Sequence, residues 1–204
     1  MNSVLKSISV IFHPLIMPLL GVVFYFSKSP RHFTEELIQA KLISLSILTI
    51  LLPILIYFLL KTLGKTHSIY LKTTKERVIP LVVNALIILL VIKRVFPSNQ
   101  ITELHYFFIG ILISTLSCLI LAVLEFKASI HMIAISGVFM FALGLALHFS
   151  ININGSLALI VLIAGAIATS RLHLNAHTNI ELIIGFCVGF LPQLLMLNYW
   201  LATS

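Results

Sequence analysis

The chain has 204 residues, 60% hydrophobic and only 9% charged, with a mean hydropathy of +1.14. A soluble domain carries about a quarter charged residues, so this composition excludes a water-solvated globular fold and points to a bilayer. Lys and Arg number 13 against six acids, all of them Glu. No basic run stands free of the apolar stretches, which argues against a nucleic-acid partner.

A transmembrane helix needs about 20 mostly apolar residues, and in lipid its backbone must satisfy its own hydrogen bonds. Apolar runs therefore read as helices, and the chain predicts an all-α polytopic bundle of about seven spans in one domain covering residues 1–204. The first, 8–27, contains His13, Pro14 and Pro18. No small-x-small cleavage site follows it, so it reads as a span instead of a cleaved signal. The others run over 39–60, 79–96, 105–124, 131–149, 151–170 and 181–201. The sixth begins on polar Asn152 and Asn154, and the count is six without it. Cys118 and Cys187 lie inside apolar runs, where they read as small hydrophobes and not as a disulfide.

The charges fall in a pattern. Lys61, Lys65, Lys72, Lys75, Glu76 and Arg77 lie between the second and third spans. Glu125 and Lys127 lie between the fourth and fifth, and Arg171, His173, His177 and Glu181 between the sixth and seventh. Each connection follows an even number of crossings, so all three open on the side of the N-terminus. The opposite side receives Lys28, Arg31, Glu35, Glu36, Lys93, Arg94 and Glu103, which read as solvated anchors, with His148 an interfacial histidine.

Three segments on the shared side carry chemistry. In Ser170–Glu181, His177 and Glu181 stand four apart, one turn along a helix face. The carboxylate can hold one imidazole nitrogen and leave the other as a nucleophile, while Arg171 offers a planar fork for phosphate oxygens. A solvated helix end with an arginine reaching the headgroups is the alternative. In Lys127–His131, His131 at a helix start can protonate a leaving group and Ser129 can hold an anion; a serine cap and an interfacial histidine are the alternative. In Lys72–Pro80, Arg77 with Lys72 or Lys75 can neutralise phosphoryl charge, or the segment can simply meet anionic headgroups. Together the three supply what phosphoryl transfer through a phosphohistidine needs.

These segments resemble the signature of the type 2 phosphatidic acid phosphatase superfamily, over roughly residues 72–181. The family's third motif is Ser-Arg, five residues, His, three residues, Asp. Ser170, Arg171, His177 and Glu181 keep that spacing, with Glu for Asp. The second, Pro-Ser-Gly-His, is matched by Ser129 and His131, with Ala128 and Ile130 at the other places. The first, Lys, six residues, Arg-Pro, is matched by Arg77, with Tyr70 at the lysine and Val78 at the proline. The resemblance implies His177 as nucleophile, Glu181 as its orienting partner and His131 as general acid. Arg77, Arg171, Ser129 and Lys72 or Lys75 would bind the phosphoryl oxygens. It implies no cofactor and no metal, and a lipid phosphate or diphosphate as substrate, in a bacterial-type inner membrane with the site on the extracytoplasmic side.

Other functions remain open on sequence grounds. His173, His177 and Glu181 recur every four residues and could share a cation on a helix. A lipid or anion transporter would mark its path with intramembrane charge, and His13-Pro14 could line a cavity or merely distort a helix. A lipid phosphotransferase would use the same residues as a phosphatase.

Overall fold

A computed structural model describes residues 2–62 and 73–201, and these form eight helices. They are α1 (Asn2–Ile11), α2 (Met17–Lys28), α3 (Glu35–Thr62), α4 (Thr74–Val95), α5 (Thr102–Val123), α6 (Ile130–Phe149), α7 (Asn154–His173) and α8 (Asn179–Leu201). The last six are long and apolar enough to cross a membrane. The chain is thus an all-α polytopic bundle.

The first expected span is corrected. Pro14 disfavours helical geometry at His13 and has no N–H to donate, so α1 stops at Ile11 and a tight turn follows. Pro18 is tolerated because it lies in the first turn of α2. With 12 residues, α2 rises roughly 18 Å, well short of the ~30 Å hydrocarbon core.

Several boundaries shift toward the charged residues. The third and seventh expected spans begin earlier as α4 and α8, placing Arg77 and Glu181 in first helical turns. The sixth moves to Asn154–His173, with Arg171 in its last turn.

α6 lies at the centre of the bundle, 61% of its membrane window being buried against 11% for α3 and for α7. Its most extensive contact is with α8. The two helices meet through glycines: a Cβ on Gly189 would fall 2.0 Å from the Ile133 carbonyl oxygen, and one on Gly185 would fall 2.8 Å from that of Ser129. Apolar side chains gain little by facing each other when lipid is the alternative, so close backbone approach through small residues is what joins such helices. Gln193, one turn beyond Gly189 on α8, is buried and donates Nε2–H to the Phe107 carbonyl on α5 at 2.9 Å.

The end of the bundle away from the N-terminus is pinned by Glu103, which is 1% exposed. Arg31 reaches its carboxylate at 2.6 Å, the Tyr25 hydroxyl donates to it at 3.2 Å, and His148 Nε2 stands 3.4 Å away. Glu103 is therefore a buried tie between α2, α5 and α6, not a solvated anchor, and His148 belongs to that tie. Cys118 is buried, whereas Cys187 is exposed on the outer face of α8.

Replacing Gly189 with Ala should lower the thermal unfolding midpoint in detergent, because backbone has to shift, at a cost of about 1–3 kcal/mol. Gly165→Ala, whose Cβ would meet nothing within 4 Å, should leave the midpoint unchanged or raise it. Equal midpoints for the two variants would contradict the α6–α8 contact.

Candidate functional site

The three charged connections converge at one end of the bundle. Arg77 donates Nη1–H to the Ala128 carbonyl at 2.8 Å, Lys127 Nζ donates to the Ala176 carbonyl at 3.2 Å, and the Ser129 N–H donates to the Glu181 carbonyl at 3.1 Å. Each bond joins two different connections.

His177 is delivered by a short turn. α7 closes with the Ala176 N–H on the Arg171 carbonyl and the Asn175 N–H on the Leu172 carbonyl, while Asn175 takes a left-handed φ of 50°. This is a Schellman closure, with Asn in the place glycine often takes. α8 then opens with Thr178 as its cap. Its hydroxyl accepts the Glu181 N–H at 3.3 Å, and Glu181 Oε2 accepts the Thr178 N–H at 3.0 Å. Sequence reasoning missed this reciprocal capping box, although Thr-x-x-Glu is its signature. The same oxygen accepts from His177 Nδ1 at 2.9 Å. The pair thus meets through cap geometry, with His177 just outside the helix and not one turn back along it.

That hydrogen bond places the proton on Nδ1 and leaves Nε2 unprotonated, with no hydrogen-bond partner among the described residues. His177 is buried. Burial lowers its pKa to about 4, helped by Arg77 and Arg171 and opposed by Glu181. Its imidazole is therefore neutral at physiological pH. Burial also depresses Lys127, with Arg77 and Arg171 adding repulsion and Glu181 opposing them. Arg77, Lys127 and Arg171 form one interacting group of cations, with Glu181 as the carboxylate that acts on Arg77 and Lys127.

Two polar atoms in this cluster are buried without a partner, Ser129 Oγ and Arg171 Nε. An unsatisfied buried donor costs about 1–3 kcal/mol. Ile130, where the resembled motif has Gly, starts α6 without a positive φ, so no glycine is needed there. His131 donates Nε2–H to the Ser9 carbonyl at 3.1 Å.

Other candidates are placed differently. Lys75 is 86% exposed and stands 3.9 Å from Glu125 at the surface, away from the cluster. Lys72 and Tyr70 lie outside the described residues. Lys127 was not singled out as a phosphate ligand, because its place in the sequence is no motif position; its bond to the Ala176 carbonyl brings it in. His13 enters from the turn after α1, its ring edge-on to His131 with centroids 5.8 Å apart. His173 ends α7 before the turn, so the stripe of His173, His177 and Glu181 is not on one continuous helix. Among the described residues no three His, Cys, Asp or Glu side chains group as metal ligands.

Compared with known proteins, the chain matches no family model, no curated protein and no solved structure.

Histidine-selective NMR of the detergent-solubilised protein should show His177 as the Nδ1–H tautomer, titrating near pH 4. Glu181→Gln should raise the share of the other tautomer. A midpoint at the ordinary value of 6.5 would mean that His177 is not buried among these cations.

Proposed function

We propose that the chain is a membrane lipid phosphatase working through a phosphohistidine. The observation that carries this reading is the pair of orphaned polar atoms, Ser129 Oγ and Arg171 Nε, beside a neutral histidine whose far nitrogen is free. A tetrahedral anion would satisfy both atoms and offset the repulsion among Arg77, Lys127 and Arg171. The residues also resemble, with departures in each of the three motifs, the signature of the phosphatidic acid phosphatase superfamily.

In the first half-reaction His177 Nε2 attacks phosphorus, forming an N–P bond as the bond to the lipid oxygen breaks. Glu181 holds Nδ1–H and stabilises the positive charge that grows on the ring. His131, entering the step as the imidazolium, gives its Nε2 proton to the departing oxygen, which takes the place of the Ser9 carbonyl, and is left as the neutral Nδ1–H tautomer, while the Ser9 hydroxyl keeps its contact with Ser170. Water then attacks phosphorus as the N–P bond breaks, gives a proton to the neutral His131 and so restores its imidazolium, and phosphate leaves with His177 Nε2 free again. The cations supply transition-state charge stabilisation.

The substrate class is a lipid phosphate or diphosphate, and the same residues would serve a lipid phosphotransferase if an alcohol replaced water. We place the protein in a bacterial-type inner membrane with the site on the extracytoplasmic side. The raw Lys and Arg count of the site-bearing connections opposes this by the positive-inside tendency. Arg77, Lys127 and Arg171 are engaged in the cluster, however, and are poor topology signals.

Phosphate release by detergent-purified protein from phosphatidate, phosphatidylglycerophosphate, a polyprenyl diphosphate and lipid A should occur without added metal. His177→Ala should reduce it to background. His131→Ala should slow poor leaving groups by about a hundredfold and good ones less. Undiminished release in the His177 variant would remove it as nucleophile, and silence of the wild type on every lipid would favour a transporter.

A further inference from the structure

His13 belongs to none of the three motif-bearing connections, yet it stands at their meeting point. The Leu15 N–H donates to its Nδ1 at 3.3 Å, so the ring proton sits on Nε2. No described residue accepts that proton. The segment carrying His13 is fixed by Ser9, whose carbonyl accepts from His131 and whose hydroxyl lies 2.7 Å from that of Ser170, next to Arg171. Burial holds His13 below the usual histidine range, and Arg171 pushes the same way. The imidazole is therefore a neutral donor of fixed tautomer.

The three cations and the Ser129 hydroxyl already supply donors for the phosphoryl oxygens. That leaves another oxygen of the substrate for the His13 N–H. Its neighbour is His131, the proposed acid, so it lies on the side where the leaving group departs.

We propose that His13 is a specificity residue whose Nε2–H hydrogen-bonds an ester or hydroxyl oxygen of the substrate's lipid backbone. This selects glycerol-based lipid phosphates over polyprenyl phosphates, whose leaving groups lack such oxygens. The inference rests on the anion-site reading above.

Binding measurements on the detergent-solubilised protein test it with three ligands: a phosphonate analogue of phosphatidate, farnesyl phosphonate and inorganic phosphate. His13→Asn keeps an acceptor for the Leu15 N–H but removes the donor at Nε2, whereas His13→Gln can reach the Nε2 position. H13N should weaken the glycerolipid analogue about tenfold, the worth of one hydrogen bond, and change the other two by less than about twofold. H13Q should restore most of the loss. Thermal unfolding of both variants checks that the segment still packs; if H13N unfolds, the H13Q affinities decide, since loss for all three ligands refutes the proposal and loss for none sustains it.

Equal weakening of all three ligands by a folded H13N would reduce His13 to a packing residue. No change for any of them, or no binding by the wild type, would also overturn the proposal. Phosphate release is measured separately on phosphatidate. Binding that follows the expected pattern without release defeats the phosphatase reading and leaves His13 in place; release unaffected by H13N defeats the His13 inference alone.

Discussion

The hydrogen bond from the Ser129 N–H to the Glu181 carbonyl joins the starts of α6 and α8, and the site depends on it. It forms because Gly185 has no side chain: a Cβ there would press on the Ser129 backbone. With the two starts held together, His131 and Ser129 on one helix face His177 and Glu181 at the other. Glycine one turn further on, at 189, extends the same close approach into the membrane. Helix packing and site assembly are one event, governed by backbone distance more than by side-chain attraction.

The two ends of the bundle use similar groups in opposite proportion. At the far end one carboxylate, Glu103, is met by Arg31, Tyr25 and His148. Donors and acceptor are matched there, and the cluster is a closed tie. At the site end Arg77, Lys127 and Arg171 lie together, and the carboxylate that acts on Arg77 and Lys127, Glu181, is already engaged by the Thr178 N–H and His177 Nδ1. Cations outnumber carboxylates in the cluster, and among the described residues three buried polar atoms at this end go unmet: Ser129 Oγ, Arg171 Nε and Glu76 Oε2. In a low-dielectric setting such an excess is costly unless a ligand relieves it. This imbalance separates the site end from the closed ion-pair cluster around Glu103.

Glu181 makes a cap contact and a histidine contact with one carboxylate oxygen. As the third residue of α8 it caps the helix, a sufficient reason for a glutamate after Thr178. Its oxygen nevertheless also receives His177 Nδ1–H, because the Schellman turn closing α7 leaves His177 just ahead of the cap. Glu181→Ala would therefore remove both, and the histidine tautomer separates the two roles where stability alone would not.

Composition and the lengths of the apolar runs were enough to establish a helical membrane bundle, since lipid leaves the backbone few other ways to satisfy itself. The 170–181 spacing made His177, Glu181 and Arg171 legible as a unit, because local geometry fixes contacts over so few residues. Alternation of crossings placed the three connections on one side. Tertiary packing decided the rest. The sequence offers Lys75 and not Lys127 as a phosphate ligand, yet Lys75 reaches Glu125 at the surface and Lys127 the Ala176 carbonyl. His13 reads as a residue beside a helix-breaking proline, and only the fold lays it against His131, 118 positions away. Contacts between residues so far apart depend on how closely helices approach, a property of glycines and neighbours from several segments that no single stretch of sequence displays.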